Sequence, residues 1–258
     1  MRKILLAAAA LVWALPILSA SAAAGSVPSI APDDQILGQP NAPVTIFEYA
    51  SLTCPHCAEF DAETLPKIKA NWIDTGKAKL VFRDYPLDQV ALRAAILARC
   101  APPERYFAFI DALFQSQANW ASARDTREAL AHIARLGGIG PDQFDQCMTD
   151  QKAADRVVAE RLVAQDQYGV DSTPTFFVNG TKVVGAQPYD AFAQSLAAAA
   201  GEPAPSASAT PPAPAAAMPA TPQIPAAPAP APAPSTAAGS GGLWDTIVAK
   251  VKSWFGSH

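Results

Sequence analysis

The sequence predicts an α/β domain in which a βαβ unit and a ββα unit flank a helical insertion. An apolar run at residues 44–49 leads into Cys-Pro-His-Cys at residues 54–57, which is the pattern of a buried strand entering a helix. A second strand is predicted at residues 79–84, Lys-Leu-Val-Phe-Arg-Asp, and it precedes a long stretch with helical periodicity. Two further runs, 175–178 and 181–184, are joined by Asn-Gly, a strong signal for a β-hairpin.

Residues 1–24 are predicted to be a secretory signal peptide. A basic pair, Arg2 and Lys3, precedes an apolar stretch at residues 4–18, and the small residues at 22–24 suit a cleavage site. The apolar stretch is too short and too rich in alanine to predict a membrane span. We therefore expect the mature protein in the periplasm, where cysteines can stay oxidised.

The globular domain is predicted to span residues 25–201. It opens with a segment containing several prolines and a short edge strand at residues 35–38, before the central strand described above. The helix that begins at Cys54 is expected to extend to about Asp74. A kink is predicted at Pro66, because proline lacks the N–H that a helix interior requires.

The helical insertion is predicted to cover about residues 89–167. Pro103 and Pro141 are placed to open two of its helices, because the first turn of a helix has no partner for the N–H that proline lacks. After the hairpin, a last helix is predicted at residues 188–200. The expected order is therefore strand, helix, strand, several helices, hairpin and helix.

The Cys-Pro-His-Cys motif carries the chemistry that the sequence predicts most directly. If Cys54 begins a helix, its sulfur lies beside unpaired backbone N–H groups and the positive end of the helix dipole, and both favour the thiolate. Cys57 lies one turn further in, close enough to form a disulfide and better shielded. His56 is placed to add a donor or a positive charge near the Cys54 sulfur, and an exposed turn residue is the alternative. Two cysteines so spaced are typical of thiol–disulfide exchange, and a structural disulfide or a copper site is the alternative.

Taken together, these segments resemble the DsbA-like family of thiol:disulfide oxidoreductases. The resemblance covers about residues 34–200. It rests on the Cys-Pro-His-Cys motif, on Phe-Arg-Asp-Tyr-Pro-Leu at residues 82–87, on the helical insertion, and on Thr-Pro-Thr-Phe-Phe-Val-Asn-Gly at residues 173–180. It implies a thioredoxin fold with an inserted all-helical subdomain. No cofactor is expected.

The resemblance also implies roles for single residues. Thr173 and Pro174 would form a cis peptide beside the active disulfide, with Thr173 backbone atoms pairing with the substrate chain. Glu48, six residues before the motif, would be buried under the disulfide and relay protons, and a strand end where it reaches solvent is the alternative. Cys100 and Cys147 would form a structural disulfide in the insertion, as in some family members, and two free buried thiols are the alternative.

The implied function is the oxidation of reduced exported proteins by dithiol–disulfide exchange, with a membrane oxidase restoring the disulfide. Because threonine before the proline is shared with some isomerases, a disulfide isomerase or reductase is the enzymatic alternative. A Cu(I)-handling module with Cys54, His56 and Cys57 as soft ligands is the alternative from another class. No methionine or histidine cluster lies near the motif, so no metal is expected. The formal charge of −4 gives no indication of nucleic-acid binding.

The C-terminal part of the chain has a different composition. Residues 202–242 are rich in proline and alanine, which predicts a disordered, extended linker. At residues 243–256 a helix would gather apolar side chains on one face, namely Trp244, Ile247, Val251, Trp254 and Phe255. We expect this amphipathic helix to bind a membrane surface or a partner, and packing onto its own domain is the alternative.

Overall fold

The structure, a computed structural model, describes residues 26–203 of the 258-residue chain. Three predicted segments lie outside the described residues: the signal peptide at 1–24, all but two residues of the linker at 202–242, and the amphipathic helix at 243–256. Within the described part, no helix is long and apolar enough to cross a membrane. The fold is α/β, as predicted.

A five-stranded mixed sheet forms the centre of the domain, with the strand order β1-β3-β2-β4-β5. Its strands are β1 (Gln35–Gly38), β2 (Val44–Ala50), β3 (Ala78–Asp84), β4 (Thr175–Val178) and β5 (Thr181–Val184). β2 and β3 are parallel, and the other neighbours are antiparallel. As predicted, β1 lies at an edge and β2 lies in the middle.

The two parallel strands are buried on both faces. Every residue of β3 is buried, and in β2 only Thr45 is partly exposed. A strand covered on both faces has no polar side, which explains why β2 reads as a nearly continuous apolar run. The parallel pairing places the C-terminal ends of these strands side by side, with Ala50 opposite Asp84.

One continuous helical stretch follows β2 and contains two π-helical segments. It comprises α1 (Pro55–Glu59), a π-helical segment (Phe60–Thr64), α2 (Leu65–Ile68) and a second π-helical segment (Lys69–Ile73). At Pro66, where a kink is predicted, a π-helical segment immediately precedes α2. Proline cannot donate to the carbonyl four residues back, and a π-helical turn is one way to accommodate that loss.

Within residues 26–203, six α-helices form the insertion between β3 and β4. They are α3 (Gln89–Ala98), α4 (Tyr106–Gln115), α5 (Gln117–Trp120), α6 (Thr126–Leu136), α7 (Pro141–Met148) and α8 (Gln151–Tyr168). The carboxylates of Asp88, Asp125 and Asp150 cap α3, α6 and α8 by accepting backbone N–H groups. Pro103 opens a 3-10 turn before α4, and Pro141 opens α7, as predicted.

The predicted structural disulfide is present. Cys100, just after α3, is bonded to Cys147 in α7 at 2.08 Å, so the alternative of two free thiols is wrong. The apolar core around this bond is continuous with the Cys-Pro-His-Cys motif, because one buried cluster contains both Cys54 and Cys147. The insertion is therefore packed directly against the motif.

The chain returns to the sheet through the predicted hairpin. Asn179 and Gly180 form its turn with positive φ angles of 43° and 89°. α9 (Tyr189–Ala200) then covers the sheet next to the helix that follows β2. Phe60, Phe176 and Phe192 pack together with ring centroids 4.5 to 5.3 Å apart, and they hold that helix against the sheet.

Candidate active site

The two cysteines of the motif lie where β2 leads into α1. Cys54 is the N-cap of α1 with an extended backbone, and Pro55 occupies the start of the helix. Both thiols are free; Cys54 is 6% exposed, whereas Cys57 is fully buried. The structure therefore has one sulfur at the edge of the site and one behind it, in the predicted order.

The surroundings of Cys54 favour its thiolate. A hydrogen bond from the Cys57 thiol lowers the pKa of Cys54 to about 5, with further help from Thr173 and from the backbone N–H groups of Cys57 and His56, while burial opposes the shift. Cys57 behaves in the opposite way. Burial raises its pKa, and the hydrogen bond with Cys54 and the charges of Cys54 and Glu48 raise it further. The two thiols thus have very different acidities although they are three residues apart.

The loop before β4 borders the site on the other side. The peptide bond between Thr173 and Pro174 is cis, and Pro174 is buried. The Cys54 thiol donates to the Thr173 carbonyl oxygen at 3.4 Å. The Thr173 hydroxyl is buried and has no hydrogen-bond partner within residues 26–203. It can therefore donate to the Cys54 sulfur once the thiol has lost its proton.

Two buried carboxyl groups belong to the surroundings of the motif: Glu48 acts electrostatically on Cys57, and Asp61 acts on Glu48. Glu48 on β2 is 2% exposed, so the alternative in which it reaches solvent is wrong. Burial, followed by the negative charge of Asp61, raises the pKa of Glu48 well above its ordinary value. Asp61 is 8% exposed, and burial together with the charge and hydrogen bond of Asp111 raises the pKa of Asp61 to about 7. The surroundings of Glu48 and Asp61 therefore favour the protonated forms of both acids more than an exposed position would.

The His56 side chain pairs with Glu59. It is 73% exposed, and its Nδ1 atom lies 3.1 Å from the Glu59 carboxylate. The group of His56 that acts on the Cys54 sulfur is the backbone N–H. Stabilisation of the thiolate by the imidazole stays a prediction, and it would depend on the charge of the ring rather than on contact.

Residues of the insertion hold the loop that carries Cys54. Gln117 Nε2 donates to the carbonyl oxygens of Leu52 and Cys54, and the Thr53 hydroxyl donates to the Asp88 carboxylate at 2.7 Å. These contacts could not be predicted from the sequence. The burial of Asp61, in the π-helical segment after α1, could not be predicted either. Asp88 does carry a signal as an N-cap before a periodic apolar segment, whereas no sequence pattern points to Gln117.

The arrangement suits thiol–disulfide exchange. It provides a sulfur at the edge of the site that is a good nucleophile and leaving group, a fully shielded second thiol, and a nearby carboxyl group whose protonated form is favoured. In the described part of the chain, no group of three or more His, Cys, Asp or Glu side chains is arranged to hold a metal ion.

Comparison with known proteins identifies the family. A family model described as thioredoxin matches residues 31–198. The crystal structure of alpha-DsbA1 from Wolbachia pipientis superimposes with a TM-score of 0.63 at 36% identity, covering 67% of this chain and 93% of that chain. The chain belongs to the DsbA-like proteins of the thioredoxin family.

A further relative is similar in sequence, and a further solved structure shares the fold. A Rickettsia typhi protein whose name describes it as a protein-disulfide oxidoreductase is 36% identical over 151 residues, which are 58% of this chain and 56% of that protein. The chain thus spans a little over half the length of the curated relatives it matches first. Oxidised BdbD from Bacillus subtilis shares the fold at 24% identity, with a TM-score of 0.63 over 69% of this chain and 97% of that chain.

Proposed function

We propose that this protein is a periplasmic thiol:disulfide oxidoreductase that introduces disulfides into exported proteins through Cys54 and Cys57. The observation that carries the proposal is the difference between the two thiols. Cys54 has a pKa lowered to about 5, and Cys57 is fully buried with a raised pKa. A stabilised thiolate stabilises the reduced form of the pair, which makes the disulfide form a strong oxidant. The predicted signal peptide at residues 1–24 supports the compartment.

In the first step, a thiolate of the reduced substrate attacks the Cys54 sulfur of the Cys54–Cys57 disulfide. The bond between substrate and Cys54 forms as the Cys54–Cys57 bond breaks, and the electron pair goes to the Cys57 sulfur. Because the pKa of Cys57 is raised, this sulfur takes up a proton. Glu48, whose pKa is also raised, is the neighbouring acid that supplies it.

In the second step, another thiolate of the substrate attacks the substrate sulfur of the mixed disulfide. The new substrate disulfide forms, and Cys54 leaves as a thiolate. A thiol with a low pKa leaves faster, so the surroundings of Cys54 speed the release of the product. Two electrons have then passed from the substrate to the pair. A membrane oxidase, the partner that the resemblance implies, accepts these electrons and restores the disulfide.

Thr173 supplies the contact with the substrate backbone. Its carbonyl lies 3.4 Å from the Cys54 sulfur, so a peptide chain that pairs with the Thr173 backbone passes directly beside the sulfur that its cysteine must attack. Main-chain pairing of this kind is independent of the substrate's side chains. Many different unfolded proteins can therefore serve as substrates.

The segment at residues 243–256 attaches the protein to a membrane surface. The preceding linker at residues 202–242 can span on the order of 100 Å, at ~3.1 Å per residue in an extended polyproline conformation. Only Lys250 and Lys252 oppose Asp245 in this segment. Attachment therefore depends on apolar insertion rather than on attraction to anionic lipid.

Refolding of ribonuclease tests the activity. Oxidised protein should form disulfides in reduced, unfolded ribonuclease, and Cys54→Ser should be inactive because it lacks the attacked sulfur. If the reduced protein instead rescues scrambled ribonuclease more efficiently than the oxidised protein acts on reduced ribonuclease, the isomerase alternative holds. Inactivity on both substrates contradicts the proposal.

A further inference from the structure

Gln117, the first residue of α5, bonds two carbonyl groups of the loop that carries Cys54. Its Nε2 atom lies 2.9 Å from the Leu52 carbonyl oxygen and 3.0 Å from that of Cys54, and both contacts are partly buried. A side-chain amide has two N–H donors, so this single group supplies both hydrogen bonds. The contacts join the helical insertion to the peptide of the active cysteine across 63 positions of sequence.

The turn that presents Gln117 is itself anchored. Trp120, at the end of α5, is almost fully buried, and its indole N–H donates to the Leu113 carbonyl at 2.8 Å. A single residue, Ser116, separates α4 from α5. Gln117 therefore extends from a helical turn held in the core of the insertion, which suits a residue that positions another group.

The Cys54 carbonyl that Gln117 contacts is also the first acceptor of α1. It accepts the N–H groups of Cys57 at 3.1 Å and Ala58 at 3.2 Å. This carbonyl lies in the plane of the Cys54–Pro55 peptide, so its orientation affects the direction of the N–H groups that follow Pro55. The N–H groups of His56 and Cys57 are the ones that stabilise the Cys54 sulfur.

We propose that Gln117 is a positioning residue for Cys54, through which the helical insertion tunes the oxidising power of the Cys54–Cys57 pair. By holding the carbonyls of Leu52 and Cys54, Gln117 keeps the first turn of α1 in the geometry in which its N–H groups meet the sulfur. The positive end of the amide dipole also points towards the loop, which favours a negative charge there. The inference rests on the proposed function in that it assumes a redox-active pair.

Other hydrogen bonds hold the same loop when the Gln117 amide is removed. Thr53 still donates to Asp88 at 2.7 Å, and the Leu87 N–H still donates to the Ser51 hydroxyl at 3.3 Å. The loop therefore stays attached to the insertion. We expect the backbone at the start of α1 to change its orientation while the fold is retained.

Gln117→Met tests the inference, because methionine has a similar shape and no N–H donor. Gln117→Ala serves as a second variant. Asn119→Leu is the matched control, since it removes an amide from an exposed position on the same helix. For each protein, the Cys54 thiolate is titrated by ultraviolet absorbance in the reduced state, and the equilibrium with glutathione is measured at neutral pH.

We expect both Gln117 variants to raise the titration midpoint by roughly half a unit, which corresponds to about a threefold shift of the glutathione equilibrium towards the protein disulfide. Asn119→Leu should change neither quantity. If both Gln117 variants keep the wild-type titration midpoint and glutathione equilibrium, the inference is overturned even if their thermal stability falls. Gln117 would then stabilise the fold without affecting the Cys54 thiolate. The wild-type midpoint tests the proposed function separately: a value like that of a free thiol removes the proposed function, while the difference between proteins still reports on Gln117.

Discussion

The Cys54 sulfur lies 3.4 Å from the Thr173 carbonyl oxygen, although 119 residues separate them in the sequence. The contact joins the N-cap of α1, just after β2, to the loop before β4. β2 and β4 are neighbours in the sheet, with Tyr49 opposite Thr175. The topology of the sheet therefore places the Cys54 sulfur beside the loop that, by resemblance, binds the substrate chain.

His56→Ala should raise the midpoint of the Cys54 thiolate titration by on the order of one unit, because it removes a positive charge near the sulfur. The variant keeps the backbone N–H, so any rise reports on the ring alone. Glu59→Gln is the matched control, since it removes the partner of the imidazole and keeps the ring. The midpoint of the Cys54 titration should not rise in Glu59→Gln. An unchanged midpoint in His56→Ala means that the backbone acts alone and that the predicted role of the ring is wrong.

Asp61→Asn should stabilise the reduced protein at about pH 8 by on the order of 1 kcal/mol and have little effect at about pH 4. The folded-state pKa of Asp61 is raised to about 7, so folding favours the protonated acid. The protonated carboxyl stabilises the fold fully at pH values below the pKa of Asp61 in the unfolded chain. This contribution is lost as the pH rises through the pKa of Asp61 in the folded protein. Asparagine stays neutral and avoids that loss.

Urea unfolding at both pH values checks the effect of Asp61. Glu63→Gln is the control, because Glu63 is an exposed acid two residues further along the same helical stretch. It should show no comparable difference between the two pH values. If Asp61→Asn is less stable than the wild type at the higher pH, the buried carboxyl is favourable in its charged form, and the assignment of a protonated acid beside Glu48 is wrong.

Replacing both Cys100 and Cys147 with alanine should lower the free energy of unfolding by up to about 4 kcal/mol in the chain-entropy treatment of a 47-residue separation. Oxidation of substrate should stay nearly unchanged, because Cys54 and Cys57 carry the exchange. Urea unfolding and ribonuclease oxidation measure the two effects. Unchanged stability, or alkylation of both cysteines in the wild type without prior reduction, contradicts the structural role.

Deleting residues 204–258 should leave stability and oxidation in solution unchanged and abolish binding to phospholipid vesicles. Trp244→Ala with Trp254→Ala should weaken vesicle binding more than Lys250→Ala with Lys252→Ala, because apolar insertion is expected to dominate. Vesicle sedimentation and tryptophan emission measure the binding. If vesicles do not distinguish the full-length and truncated proteins but a pull-down does, the segment docks on a partner; if neither distinguishes them, it is passive or packs on its own domain.

The elements that could be predicted from sequence depend on local patterns. The apolar run at 44–49 is β2 to within one residue, and the Asn179-Gly180 turn is present because these residues tolerate positive φ. Cys54 begins α1 because Pro55 can occupy the start of a helix without an N–H. In each case the physical cause lies within a few residues of the feature, so the sequence contains it.

Contacts between distant residues could not be predicted in this way. β3 buries three charged residues, Lys79 among them. Two of the three form ion pairs with residues outside the strand: Arg83 pairs with Asp34, and Asp84 pairs with Arg99. Nothing local in the strand identifies these partners. His56 shows the same limit over a shorter distance in sequence. Glu59, three residues further along the helix, pairs with the His56 ring, and this ion pair competes with any contact between the ring and the Cys54 sulfur.

The equilibrium of the Cys54–Cys57 pair with glutathione tests most directly whether a stabilised Cys54 thiolate makes this protein a strong oxidant. In a glutathione buffer poised at about −180 mV, we predict that alkylation finds most of the pair reduced, because strong oxidants of this kind have potentials near −120 mV. A pair that stays mainly oxidised in that buffer, with a potential of roughly −270 mV like that of thioredoxin, contradicts the proposed function.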